Sequence, residues 1–132
     1  QIFQSFINKY PGSTRVPDAN VKMDELREKM RKKSYESAYL YYKIQQYNAA
    51  VVALRSFLDD YPEYENPEKI EYLIVKSLKF YADESTRTKK AERYKTCETA
   101  YLAFVKKYPD SEYLEELNKL NKSILSNLEN KQ

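Results

Sequence analysis

The sequence predicts an all-α protein, a solenoid of antiparallel helix pairs that includes one long helix. Three observations lead there. One glycine and five prolines in 132 residues leave too few turn residues for a β-rich chain. Lys, Glu, Leu, Ala and Tyr dominate, a helix-favouring composition with a surplus of tyrosine, 14 in all. One short phrase also occurs three times, as FINKYPGS (Phe6 to Ser13), FLDDYPEY (Phe57 to Tyr64) and FVKKYPDS (Phe104 to Ser111).

The phrase reads as a helix terminator. Its Phe and the hydrophobic residue three places earlier (Phe3, Leu54 or Tyr101) share one helix face, a turn apart. Proline biases the preceding Tyr out of the α region and cannot extend the hydrogen-bond ladder, so the helix stops. The Tyr ring is expected to fold back over the last turn while its hydroxyl reaches water.

The elements follow between these stops. Residues 1–9 read as the tail of a truncated repeat. Pro17-Asp18 opens a long helix that runs to about Gln46, with an apolar stripe at Ala19, Met23, Leu26 and Met30. The stripe continues through Ser37, Ala38, Tyr41 and Ile44. A helix over about 48–60 turns Val51, Leu54, Phe57 and Leu58 inward. The next starts at Pro67 and uses Ile70, Leu73, Ile74, Ser77, Leu78 and Tyr81. The polar stretch ADESTRTKK (Ala82 to Lys90) reads as a loop. A helix over about 88–107 uses Tyr94, Cys97, Tyr101 and Phe104, and a last one after Pro109 places Leu114, Leu117, Leu120, Ile124 and Leu128 at helical spacing. One domain is expected. It divides into residues 1–13, a repeat with a long first helix over 14–64, a second repeat over 65–109, and a closing helix over 110–132.

Chemistry has little to stand on. The chain has no His, so no imidazole base, and Cys97 has no usual activating partner. A single Gly rules out a glycine-rich phosphate loop. Asp59-Asp60 and Glu115-Glu116 are adjacent carboxylates, but neighbours on a helix point about 100° apart and do not form a shared site. They read as solvated surface, and Cys97 as a small core residue. No enzyme activity, cofactor or metal site is expected. The net charge of +3 is too small to argue for nucleic acid, and no stretch is apolar enough to span a membrane. Gln1 enters an apolar-periodic run directly, so an upstream part is expected to precede it.

The spacing of the Tyr-Pro pairs, 51 and then 47 residues, suggests a unit somewhat longer than the roughly 34 residues of a tetratricopeptide repeat. Counting back from Pro62, Ala38, Tyr41 and Ala50 resemble that family's small, aromatic and small signature positions. Counting back from Pro109, Cys97 takes the second small position and Ser77 the first, if the connecting loop is about eight residues longer than usual. The resemblance implies a tetratricopeptide-like right-handed superhelix.

Residues 1–82 carry a closer likeness. Tyr10, Pro11 and Ser13 are followed by Asp18-Ala19 opening the long helix, then by Glu36 and the Tyr41-Tyr42 pair. Ala50, Val51 and Val52 and a second Tyr61-Pro62 complete the pattern. The string resembles the C-terminal half of BamD-type outer-membrane assembly lipoproteins, whose long helix ordinary tetratricopeptide units lack. The lipidated cysteine and first repeats of that family lie outside this sequence, and the turn KIQQYN lacks the Gly often found there. The resemblance implies a non-enzymatic scaffold at the periplasmic face of the bacterial outer membrane, held by an N-terminal lipid. Its implied partners are the periplasmic domains of the β-barrel insertase and other assembly subunits.

Tyr35, Tyr39 and Tyr42 recur at i, i+4 and i+7, flanked by Lys32 and Lys43. In a tetratricopeptide pair these positions face the concave groove, while Ser37, Ala38 and Tyr41 face the packed partner helix. Lys32, Tyr35, Tyr39, Tyr42 and Lys43 are therefore the candidate partner-binding residues, because amphipathic rings and lysine stems make good contact surface. Burial of the same rings by neighbouring helices is the competing reading. The basic stretches Arg27–Lys33 and Arg87–Lys95 read as solvated faces able to attract acidic partners or phosphate. Two other functions stay open: another tetratricopeptide adaptor of the cell envelope, and a cytoplasmic tetratricopeptide cochaperone. The second needs Lys, Asn and Arg at set groove positions, two of which hold Tyr35 and Tyr39.

Overall fold

The computed structural model describes residues 16–129, and among them all regular structure is α-helical. The helices are α1 (Val16–Lys43), α2 (Tyr47–Asp60), α3 (Pro67–Glu84), α4 (Arg87–Lys107) and α5 (Leu114–Glu129). The helix expected over residues 1–9 and the first Tyr-Pro phrase lie outside the described residues. The chain forms two compact units, residues 1–36 and 37–132. The first contains most of α1, where Ala19 is buried and Arg31 pairs with Glu28.

In the second unit α3 is the hub. It packs against α2, α4 and α5, and α4 also packs against α5. Ile70, Leu73, Ile74, Val75, Ser77, Leu78 and Ala82 are all buried along it. Small residues permit close approach: Ala38, Ala50, Ser77 and Cys97 are wholly buried. The Cys97 thiol donates to the Val75 carbonyl at 3.4 Å, and burial pushes its pKa up to about 12. It is a core residue, as expected.

Both described Tyr-Pro phrases end their helices alike. Tyr61 and Tyr108 have nearly the same backbone angles, φ −130°, ψ 64° and φ −128°, ψ 67°. Each N–H donates to the Phe carbonyl four residues earlier, at 2.9 and 2.8 Å. Each ring folds back onto that Phe, with centroids 5.3 and 5.0 Å apart. At Tyr108 the expectation that the hydroxyl reaches water is corrected. Tyr61 is buried, and the Tyr108 hydroxyl donates to the Glu71 carboxylate of α3. A carboxylate on the neighbouring helix replaces solvent as the acceptor. At the start of α3, Pro67 takes the first turn and the Asn66 side chain accepts from the Lys69 N–H at 3.4 Å.

Three further expectations are corrected. The stretch 82–90 is not a loop, because α3 continues to Glu84 and α4 begins at Arg87. Ser85 closes α3 by donating through Oγ to the Tyr81 carbonyl at 2.6 Å, while Arg93 donates to that Oγ at 2.8 Å. The Tyr94 hydroxyl donates to Asp83 across the same tip. The extra residues lengthen both helices of the pair. Met30, Ser37 and Tyr41 on α1, and Ile44 just beyond its end, are exposed, so the apolar stripe is narrower than its spacing suggests, and of the Ser37, Ala38 and Tyr41 set only Ala38 is buried. Helix α1 also stops at Lys43, three residues early. There the N–H of Gln46 bonds to the Tyr41 carbonyl at 2.9 Å and that of Gln45 to the Tyr42 carbonyl at 3.1 Å. This is a Schellman motif with Gln45, at φ 66°, in the left-handed position glycine usually fills.

Two substitutions test these backbone and core assignments. Gln45→Gly removes a left-handed β-carbon and is expected to raise stability by about 0.5–1 kcal/mol. The buried Ser77 hydroxyl has no hydrogen-bond partner among the described residues. Ser77→Ala is expected to raise stability by about 1 kcal/mol, read from urea midpoints at unchanged slope.

Candidate docking face

The candidate residues fall on α1. Lys32, exposed, and Tyr35, half-buried, belong to the first unit. Tyr39 and Tyr42, half-buried, and Lys43, exposed, belong to the second. The structure brings these last three together. The Tyr39 and Tyr42 rings stack at 6.1 Å with 19° between planes, and Lys43 Nζ lies 5.7 Å from the Tyr39 ring centre.

Tyr42 also links α1 to the rest of the unit. Its ring lies edge-on to Tyr47 at 6.0 Å, and Tyr47 rests on Phe80 at 5.2 Å. Lys76 of α3 sits 5.7 Å from the Tyr42 ring and 4.9 Å from the Tyr72 ring. Its Nζ donates to the Tyr72 hydroxyl at 3.0 Å and pairs with Glu116 of α5 at 2.9 Å. The Tyr72 hydroxyl donates to Glu116 Oε1 at 2.7 Å, and its ring stacks on Tyr113 at 4.0 Å and 13°. A run of rings and charges thus passes from Tyr39 through Tyr42, Lys76 and Tyr72 to Tyr113 and Glu116.

The electrostatics favour a fixed charge at the centre. Burial disfavours the Lys76 ammonium, but hydrogen bonds with Tyr72, Glu116 and Tyr42 outweigh it and hold its pKa above the ordinary lysine value. The Tyr72 hydroxyl bond lowers the Glu116 pKa against partial burial, and Lys76 adds to the effect. Cation–π contacts of this kind contribute roughly 0.5–2 kcal/mol depending on desolvation.

Tyr72, Lys76, Tyr113 and Glu116 were missed in the sequence. A signal for two of them exists: Tyr72 and Lys76 repeat the Tyr-x-x-x-Lys spacing of Tyr39 and Lys43, 33 residues on. Glu116 is exposed, as its surface reading expects, and its carboxylate also bridges α5 to α3. Its neighbour Glu115 points elsewhere and makes only a 3.9 Å pair with Lys119. Among the described residues no cluster of acidic or cysteine side chains could hold a metal ion, and no helix is long and apolar enough to cross a membrane.

The family model for YfiO, described as an outer membrane lipoprotein, matches residues 30–129. The chain belongs to that family. No curated protein matches it. The YfiO match takes in the run from Tyr39 to Glu116 and also the candidates Lys32 and Tyr35. It also runs through α4 and α5, beyond the 1–82 stretch that carried the resemblance.

The Glu116 carboxyl supplies a test. Because its pKa is lowered, its stabilising contribution is present above the ordinary carboxyl value and is lost as pH falls through the lowered one. Carbon-detected NMR titration is expected to place the Glu116 midpoint below 4.5, moving back up in Tyr72→Phe. A midpoint that does not respond to that substitution contradicts the Tyr72–Glu116 bond.

Proposed function

We propose that this chain is the C-terminal, helix-pair part of a BamD-type assembly lipoprotein. It works as a non-enzymatic scaffold that holds the periplasmic domains of the outer-membrane β-barrel insertase and further assembly subunits. In this reading residues 14–64 and 65–109 are successive repeats, 110–132 closes the array, and an N-terminal lipid outside the sequence tethers the protein to the periplasmic face. Membership in an outer membrane lipoprotein family supports an envelope role over that of a cytoplasmic cochaperone.

The observation that carries the reading is the aromatic and cationic run from Tyr39 to Glu116. Rings already held by stacking lose little rotamer freedom when a partner arrives, and they present both an apolar face and a hydroxyl. Lys43 at one end is exposed, so a partner meets cation and ring together. Lys32 and Tyr35, which belong to the first unit, remain separate candidates.

The test separates binding from folding. Tyr39→Ala and Lys43→Ala are each expected to weaken capture of the insertase's periplasmic domains about tenfold, near 1.4 kcal/mol, with melting temperature close to that of the parent. Tyr42→Ala is expected to lower both, because its ring also contacts Tyr47 and lies beneath Lys76. Full binding by the Tyr39→Ala and Lys43→Ala variants would sink the proposal.

A further inference from the structure

The tip of the α3–α4 hairpin carries an unusual charge. Residues 87–95 hold five cations (Arg87, Lys89, Lys90, Arg93 and Lys95) and a single carboxylate, Glu92; the facing end of α3 adds Asp83, paired with Lys79, and the exposed Glu84, which leaves the tip an excess of positive charge. Arg93 is occupied, donating to Ser85 and lying 4.3 Å from the Tyr81 ring. The side chains of Arg87, Lys89, Lys90 and Lys95 form no ion pair among the described residues. Lys76, Lys79, Lys107 and Lys119 of the same unit do, whereas Arg55, Lys106 and Lys122 likewise form none among the described residues, so what sets the tip apart is the clustering of its cations.

These charges work against the helix that bears them. The first turn of α4 holds no acid, and Thr86 gives no side-chain cap. Cations there oppose the helix dipole, so local stability does not account for them. Nor do they form one face. At 100° per residue, Arg87, Lys89, Lys90 and Lys95 point around the whole circumference near the helix end. No exposed large hydrophobic residue lies between Val52 and Leu102, so this tip lacks the apolar or aromatic anchor of a protein interface. A ring of cations at a firm hairpin end, without an anchor, matches an extended sheet of negative charge met end-on. The chain's family is one of outer membrane lipoproteins, which puts such a sheet within reach.

We infer that the α3–α4 tip is a membrane-surface contact, in which Arg87, Lys89, Lys90 and Lys95 engage the phosphates of anionic phospholipid headgroups. The contact is electrostatic and peripheral. It orients a tethered protein on the bilayer and is independent of the Tyr39-to-Glu116 face.

Co-sedimentation of the purified 132-residue chain with vesicles tests this. Vesicles of phosphatidylethanolamine and phosphatidylglycerol in equal parts are compared with vesicles of phosphatidylethanolamine and phosphatidylcholine. Retention on the anionic vesicles alone is expected, falling as salt rises. The triple variant Lys89→Gln, Lys90→Gln, Lys95→Gln should lose about tenfold or more in partitioning while remaining helical by circular dichroism. A control with the same charge change on α1, Lys22→Gln, Lys29→Gln, Lys33→Gln, should lose much less. Equal retention on both vesicle types, no retention on the anionic ones, or equal loss in the two variants overturns the inference. Absence of vesicle binding would leave the tip cations to an acidic protein.

Discussion

Everything in the second unit hangs on the burial of α3 by three neighbours at once. A helix covered by α2, α4 and α5 needs apolar or small residues around much of its circumference, and α3 has them from Ile70 to Ala82. Close approach is what makes this geometry possible. With Ser77 and Cys97 wholly buried, the Cys97 thiol reaches the Val75 carbonyl. A larger side chain at either position would have to overpack the contact, at a typical cost of 1–3 kcal/mol.

The charged side of α3 follows from the same placement. Glu68, Glu71 and Lys76 are half-buried between helices, so each requires a partner. Ser111 donates to Glu68, Tyr108 and Lys107 serve Glu71, and Tyr72 with Glu116 serves Lys76. The surplus of tyrosine then has a physical use. A tyrosine fills apolar space with its ring and delivers a hydrogen bond at the rim, which suits seams between helices that are neither dry nor open. Tyr94, Tyr101 and Tyr108 all work this way, donating to Asp83, Asn118 and Glu71.

The helices and their Tyr-Pro stops were legible because their causes are local. Proline after tyrosine, proline at the first turn and the Phe one turn back act within a few residues, so the stops at Tyr61 and Tyr108 could be read directly. The tip at Ser85-Thr86 was not, because a polar stretch is equally compatible with two helix ends. What decides it are cross-helix bonds from Arg93 and Tyr94. The candidate face was half legible for the same reason. Tyr39, Tyr42 and Lys43 share one helix and announce themselves by spacing, whereas Tyr113 and Glu116 join them only through the fold. Periodicity also overstated the core of α1, since a stripe shows which residues share a side and not how far a neighbour covers it.

The extension of both α3 and α4 up to a tight tip has a consequence for how length and packing are related. Residues added in equal number to both arms of an antiparallel hairpin leave its base and turn untouched, and each new turn of one arm finds a new turn of the other to lean on. Such a finger can lengthen or shorten without disturbing the helices packed beneath it, so the chemistry at its end is uncoupled from the packing at its base.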